Sequence, residues 1–112
     1  MASVIDNFFL AWGAPDDRRD AIVLEAVAED VTYADPRGSV EGARALAAYV
    51  AQYSANAPGS AAEVVERTDA QDGTEVRVRF HGDWGEQFGR YRVRLDDDGR
   101  IAALDGVAER AE

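Results

Sequence analysis

The chain has 112 residues, 46% of them hydrophobic, which is enough for one folded domain with a single core. Its formal net charge of −10 repels phosphate backbones and anionic lipids, so nucleic acid and membrane surfaces are not expected partners. The sequence contains neither Lys nor Cys, which excludes Schiff-base chemistry, thiol nucleophiles and zinc–thiolate sites.

The N-terminal segment MASVIDNFFLAW has no basic part, and Asp6 interrupts its apolar residues. We therefore expect no secretory signal. No stretch of the sequence reaches the ~20 apolar residues that a membrane-spanning helix needs. The expected location is the cytoplasm.

Two helices are predicted at the start of the chain. Ser3 marks the beginning of the first, apolar residues follow at helical spacing as far as Trp12, and Gly13 ends it. The second opens with Pro15 and acidic residues in its first turn, where the helix dipole favours them. Its apolar positions carry it to about Glu29.

A short strand, DVTY, follows and ends at Asp35-Pro36, because proline cannot continue a strand ladder. A third helix is predicted from about Val40 to Asn56, with its apolar residues on one stripe. The Pro and Gly of NAPGS end this helix.

The second half of the sequence is typical of antiparallel strands. AEVVERT is one strand, and the Asp-Gly of QDGT predicts a tight hairpin. The alternation that follows places five residues on one face: Val76, Val78, Phe80, Gly82 and Trp84. GEQ is the next predicted turn, Tyr91 points inward from the strand after it, and DDDG leads into the last strand, RIAALDGV.

The element order α-α-β-α-β-β-β-β predicts one α+β domain over residues 1–112. Three helices from the N-terminal half would pack on a curved, mostly antiparallel sheet. Such a sheet facing helices leaves a conical pocket, which suits a small hydrophobic molecule.

Four segments resemble the SnoaL-like, ketosteroid-isomerase-like branch of the NTF2-like superfamily. They are FFLAWGAPD, EDVTYADPRGSVEGARALAAYV, APG and YRVRLDDDGRIAALDGV, and the resemblance extends over nearly the whole chain. The resemblance implies an NTF2-like cone with a deep pocket and a homodimer formed through the outer sheet face. It also implies an isomerase or a SnoaL-like cyclase as the activity.

In the steroid isomerases of this branch, the aspartate of an Asp-Pro motif shuttles a proton between carbons. The resemblance therefore implies that Asp35 is a catalytic base. The tyrosine that those enzymes carry on the first helix is absent here, and the place of their second acid falls at Tyr91. We expect Tyr91 to donate a hydrogen bond to a ligand carbonyl. The alternatives are an Asp-Pro turn in which Asp35 accepts backbone N–H groups, and a purely structural core tyrosine.

Five further residues are candidates for ligand contact. Tyr33 precedes the aspartate by two residues and shares its strand face. Trp12, Phe9 and Trp84 suit a flat apolar ligand, although a core needs aromatic residues in any case. Asp105 would be costly to bury without a partner, so it either faces solvent or belongs to the site.

The outer sheet face is predicted to carry His81 and five arginines. The arginines are Arg77, Arg79, Arg90, Arg92 and Arg94. They would pair with acids on neighbouring strands or with a second subunit, and the resemblance favours the subunit interface. A lone histidine without a convergent acidic cluster gives no metal site, and we expect no cofactor. Arg94-Leu95-Asp96 has the Arg-x-Asp spacing of limonene epoxide hydrolases, but its arginine faces outward, so epoxide hydrolysis is disfavoured.

The sequence thus predicts a pocket for a small apolar ligand. An isomerase-like enzyme would use Asp35 and Tyr91 for proton transfer on a carbonyl compound. The alternatives are a non-catalytic module that binds a hydrophobic ligand and a dimeric interaction domain.

Overall fold

The computed structural model describes residues 4–57, 59–70 and 73–108, which form three α-helices, one turn of 3-10 helix and six strands. The helices are α1 (Val4–Leu10), α2 (Asp16–Ala26) and α3 (Ala43–Asn56), and the 3-10 turn is Ala11–Gly13. The strands are β1 (Val27–Asp35), β2 (Gly38–Glu41), β3 (Ala61–Ala70), β4 (Gly73–Gly82), β5 (Gly85–Leu95) and β6 (Ile101–Ala108).

The strands form one sheet in the order β2-β1-β6-β5-β4-β3. Every neighbouring pair is antiparallel except β1 and β6, which run parallel. The helices cover one face of this sheet, and the predicted α+β architecture is confirmed. None of the described helices has the length and apolar character needed to cross a membrane.

Aromatic residues from the first helical segment fill the space between helices and sheet. Phe8, Phe9 and Trp12 are all fully buried. The predicted alternation in β4 is confirmed as far as Phe80, since Val76, Val78 and Phe80 belong to the same core. Burial of this much apolar surface is what holds the helices on the sheet.

Two predicted boundaries around β1 were wrong. The second helix ends at Ala26 and not near Glu29, because Val27 already pairs with Ile101 of β6 and is buried there. Pairing between distant strands outweighs the local helical periodicity at this point.

The third helix begins at Ala43, later than the predicted Val40, because β2 occupies the preceding residues. Val40 lies opposite Tyr33 in the β1–β2 ladder. Gly42 then turns the chain with a φ of 98°, which glycine adopts without steric cost, and its N–H donates to Val31.

The predicted GEQ turn was also wrong. Gly85, Glu86 and Gln87 belong to β5, and the chain reverses one step earlier, at Asp83-Trp84. Three predicted features involve residues outside the described ranges: the helix start at Ser3, the Gln71-Asp72 half of the QDGT hairpin and Pro58 of NAPGS.

A buried arginine joins the helices at one end of the domain. The guanidinium of Arg19 donates to the carbonyl oxygens of Ala11 and Ala14 and to the hydroxyl of Ser54 in α3. It also pairs with Asp16 one turn earlier in α2. Each of these bonds satisfies part of a charged group that would be costly to bury alone.

Cross-strand ion pairs lie on part of the outer sheet face. The arginines there thus pair with acids on neighbouring strands, which is the first of the two predicted alternatives. Arg79 contacts Glu63 and Glu86 at 2.9 and 2.6 Å, and Arg90 lies 3.5 Å from Glu75. Arg77 pairs with Glu66 and also lies over the ring of Phe88. Dimerisation through this face stays a prediction.

Candidate functional site

Asp35 is the last residue of β1, and its carboxylate caps the loop that follows. Its Oδ1 accepts hydrogen bonds from the backbone N–H groups of Arg37 and Gly38, at 2.8 and 3.2 Å. Pro36 forces this turn, because it cannot continue the strand ladder. The loop-capping role that we considered as an alternative for Asp35 is therefore present.

The same carboxylate also accepts hydrogen bonds from two tyrosine hydroxyls. Tyr33 donates to Oδ2 at 2.6 Å, and Tyr49 of α3 donates to Oδ1 at 2.8 Å. The guanidinium of Arg37 lies 3.8 Å from Oδ2, and the Asp35 side chain is only 3% exposed. Oδ1 thus accepts three hydrogen bonds, whereas Oδ2 accepts only the one from Tyr33.

Tyr33 connects Asp35 to Tyr91. The two phenol oxygens are 3.0 Å apart, and both tyrosines are buried. A tyrosine hydroxyl has one proton, and Tyr33 donates its proton to the carboxylate, which only accepts when ionised. Tyr91 must therefore donate to the oxygen of Tyr33. We call this directed series of hydrogen bonds, from Tyr91 through Tyr33 to Asp35, the hydroxyl chain.

Glycines on β5 and β6 make room for the ring of Tyr91. A Cβ at Gly106 would lie 2.5 Å from Cε2 and 2.9 Å from Cζ of Tyr91, and a Cβ at Gly89 would lie 3.4 Å from Cε1. Phe9 packs edge-on against the same ring, with centroids 5.1 Å apart. These contacts fix the position of the Tyr91 hydroxyl relative to Tyr33.

A cavity of about 110 Å³ adjoins the hydroxyl chain. Its lining residues are Asp35, Pro36, Arg37, Tyr53, Phe80, Gln87, Phe88, Gly89, Tyr91 and Val107. It is much smaller than the roughly 300–1,000 Å³ typical of pockets for drug-sized ligands. The deep pocket that the resemblance implied is largely filled by core aromatics, and the remaining space fits a compound about as large as one small ring.

The structure separates the seven sequence-predicted site residues into two groups. Asp35, Tyr33 and Tyr91 are joined by hydrogen bonds, and Phe9 and Trp12 lie one layer behind the cavity wall. Trp12 packs against Tyr53 and Phe80, with centroids 5.0 and 5.4 Å away. Its indole N–H is buried and has no hydrogen-bond partner among the described residues.

Trp84 and Asp105 do not line the cavity, and Asp105 takes the solvent-facing alternative of its prediction. Trp84 is 48% exposed in the β4–β5 turn, where its indole N–H donates to Ser60. Asp105 is exposed and pairs across the ladder with Arg92, on the outer face of the sheet. Since it faces solvent, the cost of burying its charge does not arise.

Sequence reasoning missed three residues of the site. Tyr49 lies three residues after Leu46, an apolar residue of the third helix, so helical spacing could have found it. Tyr53 belongs to the apolar stripe predicted for the same helix, but no part in the site was predicted for it; it lines the cavity. Arg37 carries no signal in the sequence; its guanidinium lies over the ring of Tyr53, 4.9 Å from the centroid.

The tyrosines of the site are held in the neutral form. Burial raises the pKa of Tyr33, and Tyr91 and the hydrogen bond to Asp35 raise it further. Burial likewise raises the pKa of Tyr91 and of Tyr53. For Tyr49, burial and the hydrogen bond to Asp35 raise the pKa to about 12. All four tyrosines of the chain thus resist ionisation in the fold.

We expect the protein to lose stability as the pH rises above about 10, the ordinary pKa of tyrosine. A raised pKa in the fold favours the neutral phenol. Its contribution to stability is complete below pH 10 and is lost as the pH rises through the folded value, about 12 for Tyr49. In an alkaline titration, the ultraviolet absorbance of tyrosinate should increase together with the loss of far-ultraviolet circular dichroism.

The composition makes this titration easy to interpret. The chain has no Lys and no Cys, so tyrosines are the only side chains that ordinarily titrate in this window. Tyrosinate that forms near pH 10 while the circular dichroism is still native would contradict the prediction.

Comparisons with known proteins agree with this fold. The model of the SnoaL-like domain family matches residues 5–105, whereas no curated protein matches the chain. A solved candidate isomerase of the SnoaL-like family from Agrobacterium tumefaciens is 25% identical, with a TM-score of 0.86. The alignment covers 96% of this chain and 95% of that one.

A second solved structure, a candidate polyketide cyclase from Sinorhizobium meliloti, is 23% identical with a TM-score of 0.78. That alignment covers 95% of this chain and 94% of the other. At this identity the likeness extends to the fold alone. Because the family model spans residues 5–105, nearly the whole chain, the protein belongs to the SnoaL-like domain family.

Proposed function

We propose that the protein is an isomerase-type enzyme that moves a proton on a small carbonyl compound, by interconverting its enol and keto forms. The observation that carries the proposal is that Asp35 and Tyr91 line one cavity and are joined by the hydroxyl of Tyr33. Asp35 is the proton acceptor, and Tyr91 is the group that contacts the ligand.

The hydrogen bonds of Asp35 determine how a proton can reach it. Oδ1 already accepts three hydrogen bonds, so the carboxylate gains a proton at Oδ2, which accepts one, from Tyr33. The bond from Tyr33, at 2.6 Å, is the one that leads to the cavity by way of Tyr91.

The following series of proton transfers converts a bound enol into its ketone. The O–H bond of the enol breaks and its proton goes to Tyr91, while the Tyr91 proton goes to Tyr33 and the Tyr33 proton goes to Asp35. The carbonyl bond forms as the enol carbon takes a proton from water, which leaves a hydroxide. When the ketone has left, the proton on Asp35 returns along the hydroxyl chain to this hydroxide, which restores the carboxylate and the water. Each tyrosine is neutral before and after the step, which suits phenols whose pKa is raised by burial.

The relatives support the reaction class. A candidate isomerase is the 25% identical structure, and a candidate cyclase has the same fold. The size of the cavity, about 110 Å³, restricts the proposal to compounds of about one small ring.

Replacing Asp35 by Asn tests the proposal, since an amide has no free carboxylate to take the proton. With cyclopentanone as the probe in heavy water, NMR follows deuterium uptake at the carbons next to the carbonyl. We expect the Asp35→Asn variant to exchange at least about a hundredfold more slowly than the wild type.

The exposed Asp105 provides a matched control. The Asp105→Asn variant makes the same chemical change on the outer sheet face, so its exchange rate should equal that of the wild type. Circular dichroism checks that both variants are folded. Exchange by folded Asp35→Asn at the wild-type rate would remove Asp35 as the proton acceptor.

Non-catalytic ligand binding is the second candidate function. The two backbone N–H groups that donate to Asp35 favour it, because capping a loop is a structural role that needs no catalysis. In that case, the wild type would bind the small ring compound in NMR titrations but would not accelerate deuterium uptake above the buffer rate.

A further inference from the structure

The direction of the hydroxyl chain determines what the cavity offers to a ligand. Tyr33 gives its single proton to Asp35, at 2.6 Å, so the contact of 3.0 Å between the two phenol oxygens uses the proton of Tyr91. Tyr91 then has lone pairs but no free proton. At the buried side of the cavity, the ligand therefore meets a hydrogen-bond acceptor.

The surroundings of Asp35 keep the chain in this direction. All four hydrogen bonds that reach the carboxylate come from donors: two phenol O–H groups and two backbone N–H groups. The Arg37 guanidinium near Oδ2 adds a positive charge. Reversal would need a proton on Oδ2, facing Tyr33, so the chain keeps this direction while the carboxylate is ionised.

We infer that this site selects ligands that present a hydroxyl group, such as an enol or an alcohol, over ligands that present only a carbonyl oxygen. This inference rests on the same cavity as the proposed function, and it adds the chemical class of the ligand. A hydroxyl donates to the free lone pair of Tyr91, whereas a carbonyl oxygen would face that lone pair without a proton between them.

The selection is consistent with release of the product of the proposed reaction. An enol binds through its O–H, and the ketone that forms has lost the donor. Arg37 also lines the cavity, but its side chain is 58% exposed. A hydrogen bond from Arg37 therefore forms on the solvent side and does not replace the contact with Tyr91.

Cyclopentanol and cyclopentanone provide a matched pair of probes, because they share one ring and differ in the donor. NMR titration of the whole chain gives both dissociation constants without requiring turnover. We expect the wild type to bind cyclopentanol about tenfold more tightly than cyclopentanone. Equal affinities, tighter binding of the ketone, or binding of neither compound would overturn the inference.

Two variants should reverse the direction of hydrogen-bond donation in the hydroxyl chain, for different reasons. Tyr33→Phe removes the acceptor of the Tyr91 proton, so Tyr91 becomes a donor and the ketone should bind more tightly. In Asp35→Asn, the amide oxygen takes the three donors that face Oδ1, and the NH₂ group faces Tyr33. Tyr33 then donates to Tyr91, and the preference should again reverse.

Two further variants complete the test. Tyr91→Phe should abolish the preference without reversing it. Tyr49→Phe removes a hydroxyl that contacts the same carboxylate outside the hydroxyl chain, so the preference for cyclopentanol should persist. Retention of that preference in both folded reversing variants would overturn the inference.

The two proposals can fail separately. A preference for the alcohol without deuterium exchange would refute only the proposed function, and deuterium exchange with a preference for the ketone would refute only the inference.

Discussion

The Asp35→Ala variant is expected to lose about 2–4 kcal/mol of unfolding free energy, because hydrogen bonds to a charged acceptor contribute about 1.5–3 kcal/mol each. The two backbone donors are exposed and can turn to water, which limits the loss. Tyr33 is buried and has only the hydroxyl of Tyr91 left as a partner. Urea denaturation at neutral pH measures the difference.

Two other variants serve as controls for this prediction. Asp105→Ala removes an exposed carboxylate of the same type, and its effect should stay within about 0.5 kcal/mol. Asp35→Asn keeps an oxygen for the loop and for Tyr49, so it should be less destabilising than Asp35→Ala. A loss below about 1 kcal/mol for Asp35→Ala would contradict the network that surrounds the carboxylate.

The Gly106→Ala variant should lose about 1–3 kcal/mol, the usual cost of overpacking a core. The added methyl group would lie 2.5, 2.8 and 2.9 Å from three ring atoms of Tyr91, which must move. Phe9 packs edge-on against the same ring, so the ring cannot shift toward Phe9 without disturbing that contact. The contact of 3.0 Å with Tyr33 would then be lost, and with it the preference for cyclopentanol.

Gly38→Ala is the matched control for this prediction. A Cβ at Gly38 meets nothing within 4 Å, and its backbone N–H stays available to Asp35. Replacing glycine by alanine at an unstrained position stabilises proteins by about 0.4–1 kcal/mol, so the two variants should change stability in opposite directions. Equal denaturation midpoints for Gly106→Ala and the wild type would contradict the close packing on Tyr91.

Much of the sheet could be predicted because its alternation is strong. Val76, Val78 and Tyr91 face the core as the period of two requires. The same pattern failed at Trp84, because alternation continues in the sequence after the strand has ended, and only the two-residue turn reveals the end. A four-residue strand such as β2, with mostly exposed residues, has too little pattern to be recognised.

Asp35, Tyr33 and Tyr91 were singled out from the sequence, but the hydrogen bonds that join them were not predicted. Asp35 and Tyr33 are two residues apart on one strand face, so their proximity follows from strand geometry. The contact with Tyr91 does not, because β6 lies between β1 and β5 in the sheet. The two hypotheses for Asp35, a loop cap and a pocket residue, proved compatible, because a carboxylate has two oxygens with separate partners.

The parallel pairing of β1 with β6 also has a kinetic consequence. Tyr33 lies opposite Leu104, so this ladder joins segments from the first and last thirds of the chain. Contacts between such distant segments slow folding, since a long loop must close before they form. During synthesis, β1 cannot pair with β6 until β6 has left the ribosome, so this ladder forms only after nearly all of the sheet has been made.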